Sequence, residues 1–315
     1  MYLTIQKYLT RPLRSTGIFT ALISGLISIQ TMAQTSTQSA VAQASANAST
    51  QPLKKGYAPV NGLQLYYEIY GNGEPLVLLH GGLGAIEMFG PNLPVLAQSR
   101  QVIAVDLQGH GRTADIDRPL NIAFMADDIA GLLKHLGIKQ ADIMGYSLGG
   151  GVALQTAIRH PELVKKLVLV STPIKRNAFY PDILKQQEQM GPQAAEFLKQ
   201  TPMYEMYARL APKPEDWTKF ITKIGEAMKV DYDLSAEVKA VKAPTLLIAA
   251  DADIFPPSHA IEIFGLLGGG QRDGGWDGSG QIPSQLAILP GLTHYNIFMS
   301  PALFPTALAF LNKTK

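Results

Sequence analysis

Short apolar runs punctuate the chain at regular intervals from Tyr57 onward. "LQLYYEIY" (63–70) alternates apolar and polar positions, the pattern of a strand with one solvated face. "PLVLLH" (75–80), "QVIAVD" (101–106), "ADIMGYS" (141–147), "KLVLVS" (166–171), "PTLLIAAD" (244–251) and "SQLAILP" (284–290) are continuous apolar runs, as expected of strands covered on both faces. Helical periods lie between them. Met125, Ile129, Leu132, Leu133 and Leu136 share one face, and so approximately do Ile261, Ile263, Phe264 and Leu267. This alternation predicts a mostly parallel central sheet flanked by helices, a fold whose ligands bind beyond the carboxyl ends of the strands.

One interval breaks the alternation. Between Ser171 and Pro244 there are helical periods only, such as Met203, Met206, Tyr207 and Leu210, then Trp217, Phe220, Ile221 and Ile224, punctuated by Gly191-Pro192 and "APKP" (211–214). The reading is a helical cap, residues 173–240, inserted after the sixth strand and seated over the site. Residues 55–172 and 241–315 then form the core. Upstream, residues 34–54 are rich in Ser, Thr, Gln and Ala with no apolar period, which predicts a flexible leader.

The first 33 residues change the picture of charge and compartment. Lys7, Arg11 and Arg14 precede the apolar stretch "GIFTALISGLISI" (17–29), and "TMA" offers small or neutral residues for cleavage after Ala33. We read 1–33 as a signal peptide and expect an exported protein, periplasmic or secreted. An uncleaved anchor is the alternative, but Ser24, Gly25 and Ser28 interrupt a run already short for a bilayer, so no stable span is expected after cleavage. The formal charge of +2 on 315 residues comes from this segment; without it, 24 basic side chains face 25 acidic ones. No basic stripe remains, which argues against a nucleic-acid partner. The absence of cysteine excludes disulfides, thiolate catalysis and cysteine zinc sites.

Candidate chemistry gathers at strand ends. "GYSLGG" (145–150) places Ser147 between a strand and a helix, with Gly145 and Gly149 allowing a sharp turn and close approach. A chance G-x-S-x-G occurs in about one chain in ten of this length, so the pentapeptide needs partners. A serine hydroxyl needs a base. Of six histidines, His135 and His160 read as solvent-exposed, His259 lies inside a helix, and His80 and His110 sit in Gly-rich loops. His294, in "LPGLTH", follows the last strand, where a loop can reach Ser147. "AADADIF" (249–255) ends the preceding strand and offers Asp251 or Asp253 as the acid orienting the imidazole. Leu148 N–H, and Gly82 N–H in "HGGLG" (80–84), are the candidate oxyanion donors.

These motifs resemble the α/β-hydrolase superfamily in its capped esterase, lactonase and haloperoxidase-like branch. The resemblance runs from about Tyr57 to the C-terminus through "LLHGGLG", "VIAVDLQGHGRT", "GYSLGG", the D-A-D segment and "GLTH". It implies an α/β-hydrolase fold with Ser147 as nucleophile, His294 as base and Asp253 rather than Asp251 as acid. It implies architecture rather than chemistry for Asp106 and His110. Ala250 stands where the family usually has glycine. Dehalogenases and epoxide hydrolases of the same superfamily carry aspartate at the position of Ser147.

The expected activity is cleavage of a carboxylic ester or lactone through an acyl-enzyme, on a medium-sized hydrophobic small molecule. It needs no metal and no organic cofactor. Perhydrolysis, C–C cleavage and acyl transfer share the same triad, and a ligand sensor that retains the fold is the non-enzymatic alternative. Leu83, Tyr146, Met203, Tyr207 and Trp217 are the candidate pocket residues, although most cap aromatics read as helix packing. The Gly-rich stretch 268–281 carries Asp273 and Asp277 in the manner of a calcium loop, but its ligands are too few, and it reads as a surface loop anchored by Trp276. Its place before the last strand puts it at the opposite end of the sheet from Ser147.

Overall fold

The computed structural model describes residues 51–313. The segment read as a signal peptide, and the leader up to residue 50, lie outside the described residues. Eight strands form one sheet in the order β1-β2-β4-β3-β5-β6-β7-β8. They are β1 (Lys54–Val60), β2 (Leu63–Tyr70), β3 (Glu74–Leu79), β4 (Arg100–Val105), β5 (Ala141–Tyr146), β6 (Val164–Val170), β7 (Thr245–Ala252) and β8 (Gln285–Thr293). β1 and β2 run antiparallel to their neighbours, and β3 through β8 pair in parallel. β5 is buried along its whole length, as its unbroken apolar run requires.

Strand β1 corrects the expected boundaries. It begins at Lys54, inside the stretch assigned to the leader, and was not read as a strand. Pro59 and Gly56 weaken its pattern, but it is an edge strand, where proline costs no ladder bond on the open side. Asn61 and Gly62, both at positive φ (49° and 82°), make the two-residue turn that joins it to β2.

Helices cover both faces of the sheet. On one face lie α2 (Ile122–His135) and α3 (Leu148–Arg159), whose Met125, Ile129, Leu132, Val152 and Ala153 pack on Val77, Val105 and Ile143. On the other lie α1 (Asn92–Ala97) and α10 (Leu303–Leu311), with Leu96, Phe304 and Phe310 against Leu76, Leu78 and Val168. α9 (Pro257–Leu266) buries His259, Ala260 and Ile263; Ile261, expected on the inner face, is exposed. The loop that follows α9 keeps its place before β8, but Trp276 is fully exposed and anchors nothing. Asp277 there accepts the Ser279 N–H at 3.0 Å, a local turn.

Between β6 and β7 the chain forms α4 (Pro181–Glu188), α5 (Pro192–Leu198), α6 (Pro202–Leu210), α7 (Trp217–Lys229) and α8 (Ser235–Ala240). Proline occupies the first turn of α4, α5 and α6, where a missing N–H is harmless. Helix α7 buries Trp217, Phe220, Ile221 and Ile224, the stripe seen in the sequence. The segment leaves the core beside α9, where His259 Nε2 accepts the Ile174 N–H at 3.2 Å. Lys223 on α7 grips the Asp115 carboxylate of the loop after β4, at 2.6 and 2.9 Å.

Candidate active site

Ser147 sits where β5 becomes α3, with φ 52° and ψ −116°. Side chains rarely adopt that region, and holding one there costs about 1–3 kcal/mol. Two backbone bonds enforce it: Ser147 N–H donates to Val170 O (2.9 Å), and Gly151 N–H donates to Ser147 O (3.0 Å). The flanking glycines permit the bend. A Cβ on Gly145 would lie 2.1 Å from Gly149 O, and one on Gly149 would lie 2.4 Å from His80 O. Any larger residue at either position separates the helix from the strand ends and moves the hydroxyl.

His294 meets Ser147 from the loop after β8. Its Nε2 is 3.0 Å from Ser147 Oγ and its Nδ1 is 2.8 Å from Asp253 Oδ1. A carboxylate only accepts, so Nδ1 carries the proton and Nε2 is left to accept from the hydroxyl. The imidazole is buried, and its loop is tied down at three points. Tyr146 donates its hydroxyl to His294 O (2.6 Å), Asn296 Oδ1 accepts the Thr293 N–H (2.7 Å), and Asp251 accepts the N–H groups of Gly291 and Leu292 (2.9 and 3.1 Å).

The choice between two aspartates follows from this geometry: Asp253 faces the imidazole, and Asp251 braces the backbone that carries it. Asp253 has every acceptor site engaged. Oδ1 also takes the Ile254 N–H (2.9 Å), while Oδ2 takes Ser171 Oγ–H (2.5 Å) and the Ala250 N–H (3.2 Å). Burial pushes its pKa up, but His294, Ser171 and the Ile254 amide favour the anion more and hold it below the usual carboxylate range. Ser171, at φ 49° just beyond β6, was not identified from the sequence. It closes a strand with no motif around it, and only the three-dimensional contact reveals its part.

The loop after β3 borders the same space. His80, fully buried, donates Nδ1–H to Gly81 O (2.7 Å) and accepts the Leu107 N–H at Nε2 (3.1 Å), which fixes it as a neutral ring. Burial drives its pKa down to about 4. Asp106, also buried, accepts the N–H groups of Ile86 and Arg112 (both 2.9 Å) and so joins this loop to the next. A Cβ on Gly82 would meet only Leu148, at 3.9 Å. The two expected donor residues therefore adjoin, and the glycine is not demanded by packing. Leu148 opens α3, where the first N–H groups have no partner within the helix.

Beyond Gly82 a narrow cleft of about 190 Å³ separates this loop from the helices of the β6–β7 segment. Leu83, His110, Met206, Tyr207, Leu210 and Phe220 line it. Of the expected pocket residues, Leu83 and Tyr207 are thus placed, and three are not. Tyr146 lies under His294 with its hydroxyl already engaged. Met203 is exposed on the outer side of α6, and Met206, one turn on, takes the inner position. Trp217 is buried against Tyr204 and Tyr207, with its indole N–H on Ala195 O (2.9 Å), as the packing centre of its own helices.

Comparison with known proteins bears on the fold. A family profile described as "alpha/beta hydrolase fold" matches residues 74–204. RutD of Azorhizobium caulinodans, by its name a candidate carbamate hydrolase, is 27% identical over 220 residues, covering 64% of this chain and 82% of that protein. The 2-hydroxymuconate semialdehyde hydrolase of Pseudomonas sp. strain CF600 is 43% identical over 106 residues, which are 32% of this chain and 38% of that enzyme. Among solved structures, the enol-lactonase of Burkholderia xenovorans LB400 superposes with a TM-score of 0.62 at 22% identity, over 82% of this chain and 100% of its own, a likeness of fold. With eight mostly parallel strands, flanking helices and a serine turn after β5, the chain has the α/β-hydrolase fold, and its residues 74–204 match the profile of that family.

Proposed function

We propose that the protein is a serine hydrolase that cleaves a carboxylic ester or lactone through an acyl-enzyme. The observation that carries this reading is His294 standing between Ser147 Oγ (3.0 Å) and the Asp253 carboxylate (2.8 Å). Ser147 Oγ bonds to the carbonyl carbon while its proton passes to His294 Nε2, and the carbonyl π electrons move onto oxygen. The N–H groups of Gly82 and Leu148 receive that oxyanion; a single such donor is commonly worth 100-fold or more in turnover. As the carbonyl re-forms, the bond to the leaving oxygen breaks and His294 returns its proton to it. Water then enters by the same route and frees the acid and the serine. Asp253 stays ionised throughout and stabilises the imidazolium.

The residues read as a cap lie against the loop after β3 with little free space left between them. That favours a compact group of a few carbon atoms beside Leu83. It narrows the medium-sized substrate expected from the sequence to one with a small acyl end. Export, with cleavage after Ala33, places the activity outside the cytoplasm. The N-terminal residue of protein recovered from the periplasm or medium, read by mass spectrometry, tests that part.

For the chemistry, purified protein is expected to release p-nitrophenol from short-chain esters, and a fluorophosphonate should label Ser147. Ser147→Ala should reduce turnover on the order of 10⁶-fold and abolish labelling. Folded protein that neither turns over nor labels, yet binds acyl ligands, would leave the sensor as the better account.

A further inference from the structure

The cleft is apolar on most sides, and His110 and Tyr207 are the buried rings with polar atoms that line it. His110 Nδ1 lies 2.9 Å from Gln108 O. A carbonyl can only accept, so Nδ1 holds the proton and Nε2 presents a lone pair. Burial, and then neighbouring His80, press the His110 pKa down to about 3, so the ring is neutral under ordinary conditions. Among the described residues, only His110 Nε2 and Asp142 Oδ1 are buried side-chain nitrogen or oxygen atoms without a hydrogen-bond partner. Asp142 is otherwise served, since its second oxygen pairs with Arg100 at 2.7 Å. His110 has no such explanation within the protein. Leaving a buried acceptor unsatisfied costs about 1–3 kcal/mol.

The ring is also held in place. It packs on His80 with centroids 5.0 Å apart and meets Phe220 edge-on at 4.8 Å. With Nδ1 turned to its own loop, Nε2 is the free ring nitrogen of a residue that lines the cleft.

We infer that His110 Nε2 accepts a hydrogen bond from a hydroxyl or N–H on the acyl part of the substrate. This rests on the serine-hydrolase reading above, and it specifies the substrate class. The assignment to the acyl part follows from the proton path. A leaving oxygen must come within reach of His294 Nε2, whereas the cleft adjoins the oxyanion loop through Leu83 and does not include His294. What extends into it is the group on the other side of the carbonyl carbon. The preferred substrates are then small esters or lactones whose acyl chain bears a hydrogen-bond donor, hydroxyacyl compounds above all.

The test compares kcat/KM of the full chain on p-nitrophenyl butanoate with its 2-hydroxy and 3-hydroxy counterparts. One hydroxy ester is expected to exceed the parent by roughly tenfold, the worth of one hydrogen bond. In His110→Phe, which keeps an aromatic ring and loses the acceptor, that ratio should fall to about one. Because the ratio is taken within each protein, a general loss of activity does not disturb it. If His110→Phe does not fold, the ¹⁵N signal of Nε2 in Ser147→Ala protein serves instead, and should move on adding the preferred hydroxy ester but not the parent. Turnover of all three esters at equal rates, a ratio that survives in His110→Phe, or an unmoved Nε2 signal would overturn the inference and leave the hydrolase reading intact. Turnover of none would remove both.

Discussion

The carboxyl ends of the strands and the helices laid over them are secured in different ways. Ser147, Ser171 and Asp253 stand at the ends of three adjacent strands, and each is fixed by backbone bonds as well as side-chain contacts. The helical segment is attached through fewer polar points, chiefly Lys223 on Asp115, Lys175 on Glu262 and the Ile174 N–H on His259. It exposes apolar side chains such as Phe197, at 74%, and Met203. Chemistry therefore depends on the rigid part, and recognition on the part that can be altered without disturbing the sheet. In this fold the shape of the substrate is adjustable independently of the reaction.

That contrast can be broken most severely at the acid. Asp253→Asn leaves the volume unchanged but lets His294 adopt the wrong tautomer, and kcat should drop about 10⁴-fold with little change in KM. Steady-state kinetics on a chromogenic ester checks it.

A second measurement sharpens the contrast through stability. His80 and His110 are neutral in the folded state down to about pH 4 and about pH 3, while in the unfolded chain they protonate near 6.5. Between those limits the unfolded chain binds more protons. Stability present above pH 6.5 is therefore lost as pH falls through the window. Asp106, raised to about 6 by burial, acts in the opposite direction between about 6 and its unfolded value. Two histidines outweigh one aspartate, so the net loss by pH 4.5 is on the order of 3 kcal/mol. Urea unfolding at pH 7 and pH 4.5 should show a clear fall in midpoint.

The smallest effect is expected in the helical region. Lys223→Met keeps the stem and removes the grip on Asp115, which loosens α7 over the cleft. KM should rise roughly threefold with kcat nearly unchanged, since Gln108 and Lys219 remain beside the Asp115 carboxylate. An equal fall in kcat would mean that the two regions are not independent.

The sequence was most informative where local backbone chemistry and reactivity coincide. Ser147 and His294 follow from a strand-to-helix turn and a loop after the last strand, and both Asp251 and Asp253 were visible as candidates. The residues alone left the two open and the family resemblance pointed to Asp253; the register at the end of β7 shows why, since two residues change which way a carboxylate points. Ser171 and β1 carry no motif, one being a lone hydroxyl and the other an edge strand containing proline. The helical segment was legible as helices but not as a surface. Periodicity groups Met203 with Met206, yet only packing decides that Met206 turns inward and that Trp217 belongs to the neighbouring helices.

The backbone angle at residue 147 has an evolutionary corollary. Glycine enters that conformation freely, whereas serine must be forced into it. A laboratory lineage propagated for heat tolerance, with no demand for turnover, would gain by exchanging the serine for glycine. The active form persists only while catalysis itself is being selected.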